Sequence, residues 1–260
     1  MPTIRDITRF LDAFAPKSLA EDWDNVGLLV GDPGRRVKNI LTCLTVGPAV
    51  VDEAVAGEVD LVVSHHPCPF HSLKRITSDT TTGRLLLNLI RAGIAVYSPH
   101  TAFDSAKTGI NQLLAEGLEL KEIGYLVELP CGGGAGRIGR LMPPAPLKEV
   151  LDKVKRFLRI ETVAYVGELE RPIERVATAC GAADSFLDEA VRAGCHCMVT
   201  GESRFHTCLE AEAQDMALIM PGHFASERFA VEYLAEELAG VFRDVTVRPA
   251  RTERDPVRFG

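Results

Sequence analysis

The feature that most constrains this 260-residue sequence is an alternation of short apolar runs with amphipathic helical periods. Apolar residues spaced three and four apart predict a first helix from Ile4 to Phe14, behind a capping Thr3. Strand-like runs and helical periods then follow one another at residues 40–45, 49–56, 61–64, 85–92 and 94–98. This alternation predicts an α/β fold in which helices cover the sheets.

A glycine- and proline-rich stretch from Cys131 to Pro146 separates this half of the chain from a second one. We expect a domain boundary there, with an N-terminal α/β domain at residues 1–127 and a C-terminal α/β domain at residues 128–260. The second half repeats the pattern of helices and strands at residues 147–157, 162–166, 176–180, 185–193, 197–200, 205–214, 217–220, 225–238 and 245–247.

Composition excludes several classes of protein. A 46% content of apolar residues excludes a disordered chain. The sequence lacks both a membrane-length apolar run and the apolar core of a signal peptide, so we expect a cytoplasmic protein. Seven cysteines without framework spacing fit reduced thiols. A net charge of −7 argues against nucleic-acid or anionic-membrane partners, although a local basic pocket could still accept a phosphorylated small molecule.

Two adjacent histidines, His65 and His66, follow the predicted strand at residues 61–64. Neighbouring side chains on an extended strand point to opposite faces, so both reach one metal ion only if the chain turns. Pro67 favours such a turn. A surface or hydrogen-bonded pair is the commoner role for two adjacent histidines, and both interpretations stay open.

Two further strand ends carry possible metal ligands. Asp104 lies on the same loop as His100, and its carboxylate suits a hard divalent ion, although capping the helix predicted near Gly109 explains it equally well. His223 and Glu227 are four residues apart at a predicted helix start, so their side chains lie on one helix face and converge on one point. The same spacing is also found in solvated surface pairs, so that interpretation stays open. The strand ends together offer five donors: His65, His66, Asp104, His223 and Glu227. Five exceed the usual need of one mononuclear site and favour a two-metal centre.

Two other motifs point away from metal or nucleotide binding. Cys195-His196-Cys197 lacks a second cysteine pair at zinc-ribbon spacing and opens an apolar strand, which favours buried thiols over a zinc site. Residues 134–139 satisfy the G-x-G-x-x-G pattern, but Pro143 and Pro144 follow, so no helix can open there. A dinucleotide-binding fingerprint is therefore excluded.

Six segments, in order along nearly the whole chain, resemble the dinuclear-metal-centre family of GTP cyclohydrolase 1 type 2 homologues, also called NGG-interacting-factor-three-like. They are Trp23-Asp24-Asn25-Val26-Gly27-Leu28, Ser64-His65-His66-Pro67, His100-Thr101-Ala102-Phe103-Asp104 with Gly109-Ile110-Asn111, Gly136-Arg137-Ile138-Gly139, Thr200-Gly201-Glu202 with His206, and Gly222-His223 with Ser226-Glu227. The resemblance implies two related α/β domains with a dinuclear metal site in the cleft between them, assembled as a toroidal homohexamer. It implies that the metal ligands are the same five residues: His65, His66, Asp104, His223 and Glu227.

The function implied by this resemblance is that of a metal-dependent hydrolase. Two divalent ions per chain, whether zinc, iron, manganese or magnesium, would provide a hydroxide that attacks a small-molecule substrate, such as the nucleotide GTP. For opening of the guanine ring with release of formate, His206 and Glu202 are candidate proton carriers and His100 is a third. A phosphoesterase or nucleotidase, or a non-catalytic hexameric regulatory protein, would use the same ligands. The sequence does not choose among these functions.

The sequence departs from the family pattern at three points. Residues 44–47 lack the aspartate that the family often carries after its second segment, which leaves a supporting contact to the metal site in doubt. The halves are joined without the large inserted domain of some members, so we expect the minimal form. Trp23, the one tryptophan, is either a pocket residue or a packing anchor, and the sequence favours neither role.

Overall fold

A computed structural model describes residues 1–130 and 132–258 of the chain. Its helices are α1 (Ile4–Phe14), α2 (Pro48–Ala56), α3 (Thr81–Ala92), α4 (His100–Ser105), α5 (Ile110–Gly117), α6 (Leu147–Leu158), α7 (Leu187–Arg192), α8 (Phe205–Ala213) and α9 (His223–Val241). Its strands are β1 (Gly27–Val30), β2 (Asn39–Cys43), β3 (Leu61–Ser64), β4 (Ala95–Ser98), β5 (Lys121–Glu128), β6 (Gly134–Pro146), β7 (Ala164–Val166), β8 (Pro172–Ala179), β9 (Cys197–Thr200), β10 (Ala217–Met220) and β11 (Thr246–Pro249). Among the described helices, none has the length and apolar character needed to cross a bilayer.

The chain divides into two compact units. Unit 1 comprises Met1–Phe103 and Ala230–Gly260, and unit 2 comprises Asp104–Phe229. This division differs from the boundary expected at residue 127. Two strand pairings contribute to the difference. Strand β5, most of which precedes the expected boundary, pairs with β6 of unit 2, and β11, close to the C-terminus, pairs in parallel with β2 of unit 1.

Unit 1 is built on a five-stranded sheet with the order β1-β4-β3-β2-β11. Strand β1 is antiparallel to β4, and the other neighbouring strands are parallel. Every residue of β3 and β4 is buried, as expected for parallel strands that are covered on both faces. Because β3 and β4 run side by side in the same direction, the residues that follow their carboxyl ends emerge at one edge of the sheet.

The core of unit 1 lies where α2 and α3 pack on this sheet. Val50 from α2 and Leu86 and Leu89 from α3 join Leu41 and Val62 of the sheet in one buried cluster. Helix α1 begins as predicted, because Thr3 and Asp6 form a reciprocal capping box that satisfies backbone N–H groups at its start.

Unit 2 is built on a six-stranded sheet with the order β5-β6-β8-β9-β10-β7. The glycine- and proline-rich stretch expected to mark the domain boundary is therefore mostly strand β6, which pairs on one side with β5 and on the other with β8. Its glycines allow the close approach of neighbouring strands: a Cβ atom at Gly134 would lie 2.6 Å from Cβ of Tyr125. Cys131, where the stretch begins, lies outside the described residues. The strand confirms that the G-x-G-x-x-G pattern opens no helix.

Candidate metal centre

Three histidine side chains of unit 1 converge beyond the carboxyl ends of β3 and β4. His65 and His66 follow β3, and His100 begins α4 directly after β4. One ring nitrogen from each histidine lies within 4.8 Å of the other two. The hydroxyl of Ser64 donates to the carbonyl of His66 at 2.8 Å, which closes the turn that the histidine pair requires. We call these three side chains the imidazole group. His100, expected only as a proton carrier, belongs to it.

Polar partners outside the imidazole group orient two of its rings. Nδ1 of His66 lies 2.7 Å from Oγ1 of Thr45. Residues 44–47 lack the aspartate that the family often carries, and here Thr45 makes the supporting contact instead. Nδ1 of His100 lies 2.7 Å from Oδ1 of Asp24. Burial acts to raise the pKa of Asp24, but its hydrogen bonds with His100 and Thr101 outweigh burial, so its pKa lies below the ordinary value. Outer hydrogen bonds of this kind fix the tautomer and orientation of metal-ligating histidines.

Unit 2 gathers its predicted ligands around the Cys180-Gly181 turn, which follows β8. The Cys180 thiol donates to Oδ1 of Asp104 across 3.2 Å. Gly181 has a φ of +65°, and a Cβ atom at this position would lie 2.3 Å from Oε1 of Glu227 and 3.6 Å from Cε1 of His223. The absence of a side chain at Gly181 therefore leaves room for the Glu227 carboxylate. Sequence reasoning missed this turn, whose only signal was a Cys-Gly pair at a strand end.

The His223–Glu227 pair lies on the first turn of α9, as the four-residue spacing predicted. Nε2 of His223 is 3.1 Å from the buried carboxylate of Glu227, and its Nδ1 is 3.0 Å from Oε1 of Glu202. The hydrogen bond to Glu227, aided by Glu202, raises the pKa of His223 to about 9. Glu202, expected as a proton carrier, is placed here as the acceptor that orients the His223 ring.

Asp104 lies inside α4, which differs from the loop or cap position that the sequence suggested. Asn111 joins Asp104 to the Cys180-Gly181 turn within unit 2: its Nδ2 donates to the carbonyl of Asp104 at 3.2 Å, and its Oδ1 accepts the backbone N–H of Cys180 at 2.8 Å. Burial, together with the charges of Asp104 and Glu227, raises the pKa of Cys180 well above its ordinary value. The thiol thus stays protonated and remains a donor to Asp104.

His206, the remaining candidate proton carrier, is exposed on the first turn of α8. Its ring contacts Phe205 edge-on, with centroids 5.7 Å apart. It lines a surface groove of about 370 Å³ together with Asp184, Arg204 and Thr207. The His206 ring is therefore open to solvent on this surface.

The rival motif, Cys195-His196-Cys197, consists of buried thiols beside a hydrogen-bonded histidine. Both cysteines are buried, and Cys197 belongs to β9. Burial raises the pKa of Cys195 to about 11, which keeps the thiol protonated at neutral pH. Nδ1 of His196 accepts the backbone N–H of Glu174 at 3.2 Å and of Arg175 at 3.1 Å. The prediction of packed thiols at this motif is confirmed.

Comparison with known proteins then decides the family. The sequence matches Duf34/NIF3 (NGG1p interacting factor 3) over residues 2–256. The chain belongs to the Duf34/NIF3 family. Among its Duf34/NIF3 relatives, the "GTP cyclohydrolase 1 type 2 homolog" of Clostridium acetobutylicum is 32% identical over 98% of both chains. The "NIF3-like protein 1" of Drosophila melanogaster is 29% identical over 96% of this chain and 87% of its own length.

A solved Duf34/NIF3-related structure has the same fold. The crystal structure of a Bacillus cereus protein related to NIF3 aligns with a TM-score of 0.91, covering 100% of this chain and 99% of that one at 22% identity. At this level of identity the likeness concerns the fold.

The donors of each unit fit the divalent ions that the Duf34/NIF3 resemblance implies. Unit 1 offers three imidazoles, and unit 2 offers one imidazole and the carboxylates of Asp104 and Glu227. Mixed imidazole and carboxylate donors suit zinc, iron and manganese, and the carboxylates also suit magnesium. Nε2 of His223 lies 3.1 Å from Oε2 of Glu227, and a metal ion bound by both would compete with a proton for them.

Proposed function

We propose that this protein is a hydrolase that uses two divalent metal ions to cleave a nucleotide such as GTP, or a related small molecule. The ligands in this proposal are His65, His66, Asp104, His223 and Glu227. The observation that carries it is the gathering of an imidazole and two carboxylates at the Cys180-Gly181 turn of unit 2. The naming of relatives as GTP cyclohydrolase 1 type 2 homologues supports a guanine nucleotide as the substrate class.

When bound, two divalent ions would acidify water and polarise the bond under attack. The residues of the chain have separate tasks in this proposal. Glu202 holds the Nδ1 proton of His223, so that Nε2 faces the site. The Cys180 thiol and Asn111 fix the position of Asp104. His206 exchanges protons with solvent and carries them during ring opening.

Metal analysis tests the ligand set. Protein reconstituted with zinc, iron, manganese or magnesium should hold close to two ions per chain, as measured by mass spectrometry of the metal content. The double variant His65→Ala, Glu227→Ala should lose most of this metal. As a control, His206→Ala should keep both ions and lose turnover. Unchanged metal content in the double variant would remove the proposed ligands.

Product analysis tests the reaction. The metal-loaded protein is incubated with GTP while formate and phosphate are followed separately. Formate release supports opening of the guanine ring, because hydrolysis of that ring at C8 expels the carbon as formate. Phosphate release would instead identify a phosphoesterase or nucleotidase. Release of neither product, from GTP or other nucleotides, would favour a metal-binding protein without catalytic turnover.

A further inference from the structure

Two aromatic side chains of unit 1 lie exposed side by side. Trp23 is 62% exposed and Phe70 is 43% exposed, and their ring centroids are 6.0 Å apart at an interplanar angle of 31°. We call this pair the aromatic platform. Its exposure excludes the packing-anchor interpretation of Trp23, because a packing anchor buries most of its ring area.

The aromatic platform lies directly beside the imidazole group. The ring of His100 meets Trp23 edge-on at a centroid distance of 5.9 Å, and it meets Phe70 in the same way at 5.7 Å. His71 packs edge-on against Phe70 from a further side, at 4.8 Å. The platform is thus a set of ring faces in contact with His100 of the imidazole group.

Hydrogen bonds hold the two loops of the platform in place. Asp24, next to Trp23, engages Nδ1 of His100 and accepts the backbone N–H of Thr101 at 3.1 Å. Nδ2 of Asn25 donates to the carbonyl of Pro69 at 2.8 Å, which joins the Trp23 loop to the Phe70 loop. Binding surfaces that are held in place before a ligand arrives lose less entropy when it binds.

We propose that the aromatic platform stacks the planar heteroaromatic ring of the substrate, a nucleobase or a ring of that class, and holds it beside the imidazole group. This inference rests on the proposed function, for which it supplies the subsite that recognises the base. Stacking on aromatic side chains tolerates any base, because each base has a π-face. The platform therefore selects for a flat ring, and polar contacts elsewhere would select among bases.

The sequence supplies its own probe, because Trp23 is the one tryptophan in the chain. Guanosine and GTP, titrated into the purified 260-residue chain, should quench Trp23 fluorescence saturably, whereas ribose 5-phosphate, which has no base, should not. Phe70→Ala should weaken guanosine binding about tenfold, in line with loss of a stacking partner. Tyr165→Ala is the matched control, since Tyr165 is equally exposed, at 43%, on β7 of unit 2. It should bind guanosine like the unmodified protein.

Calorimetry extends the test to Trp23 itself, where fluorescence cannot report. Trp23→Leu should weaken guanosine binding by a similar factor, and Trp23→Phe should restore most of the affinity. Equal responses to guanosine and ribose 5-phosphate, or unchanged affinity in Phe70→Ala, would overturn the platform. A concentration-dependent shift of Trp23 emission without any nucleoside effect would assign these rings to contact between copies of the chain, and would also overturn it.

The two proposals fail in different ways. If guanosine quenches Trp23 but metal-loaded protein releases neither formate nor phosphate, the platform stands and the hydrolase proposal falls. If products form from GTP while Trp23→Leu and Phe70→Ala keep the original kcat/KM, the hydrolase proposal stands and the platform falls.

Discussion

Arg137 shows how one buried charge organises the surroundings of a candidate ligand. Its side chain is 1% exposed, and its guanidinium lies 4.6 Å from the ring centre of Tyr125. Nη1 donates to the carbonyls of Gly134 and Gly136 at 2.9 and 2.8 Å, and Nη2 donates to the carbonyl of Ala106 at 2.6 Å. Arg137 therefore ties β6 to the residues that directly follow α4, the helix that carries Asp104.

Replacing the Arg137 guanidinium, whose N–H groups donate to three backbone carbonyls, should destabilise the fold. Arg137→Lys keeps the charge but cannot reach all three carbonyls, so we expect it to lower the free energy of unfolding by roughly 2 to 4 kcal/mol. Urea denaturation measures this loss. Arg140→Lys, also on β6 but with a partly exposed side chain whose ion pair with Glu174 a lysine can keep, is the control and should change stability by less than about 0.5 kcal/mol. Equal stability of the two variants would contradict the role assigned to Arg137.

The thiols at β9 should contribute to packing and not to metal binding. Cys195→Ala with Cys197→Ala should lower the free energy of unfolding by about 1 to 3 kcal/mol per site, because each change leaves a small cavity. Bound metal should be unchanged in the same preparation. A double variant that folds normally but loses an ion would move the metal centre to this strand.

At the scale of elements, Glu53 connects α2 to the chain that follows β11. Its carboxylate accepts the backbone N–H of Arg251 and that of Thr252, each at 3.0 Å, and the Thr252 hydroxyl at 2.8 Å. It also pairs with Arg248 of β11. Burial acts to raise the pKa of Glu53, but these hydrogen bonds and the arginine outweigh it and lower the pKa to about 2.

This lowered pKa predicts a specific dependence of stability on pH. The folded state binds the Glu53 proton more weakly than the unfolded state does, so the contribution is complete above an unfolded pKa of 4.5 and is lost as pH falls toward 2. Glu53→Gln should therefore cost about 1 to 3 kcal/mol at neutral pH, and the difference from the unmodified protein should shrink below pH 4.5.

Urea denaturation across this pH range measures the difference. Asp52→Asn changes an exposed neighbour on the same helix and is the matched control, expected to have little effect at any of these pH values. A cost of Glu53→Gln that stays constant down to pH 2 would show that its carboxylate charge is not what holds α2 to β11.

At the scale of the whole molecule, the family resemblance leads us to propose a homohexamer. Light scattering should give a mass near six times the 28.3 kDa of one chain. Phe205 and Leu209, four residues apart on α8, form an exposed apolar strip that a subunit contact would cover. Phe205→Asp should therefore lower the measured mass. A monomer in the unmodified protein at micromolar concentration would contradict the ring.

The sequence by itself determined the elements whose signals are local. Strands β3, β9 and β10 span the predicted residues 61–64, 197–200 and 217–220, because short buried strands need apolar side chains at nearly every position. Helix α1 was predicted equally well from its capping residue and from the three- and four-residue spacing of its apolar side chains. The family could also be identified from the sequence, because its motifs are short segments of chain. The match to the family confirms this identification.

Only the tertiary structure decided how distant segments combine. The sequence did not predict strand β6, because its glycines and prolines are typical of a loop. In the structure the glycines allow neighbouring strands of the sheet to approach closely. The pairing of β11 with β2 joins residues about 200 positions apart, and no local periodicity encodes such a partner. No local pattern predicted the Cys180-Gly181 turn beside Asp104 or the exposure of Trp23 either. Burial and long-range pairing depend on contacts across the whole fold, so local sequence patterns do not predict them and only the tertiary structure shows them.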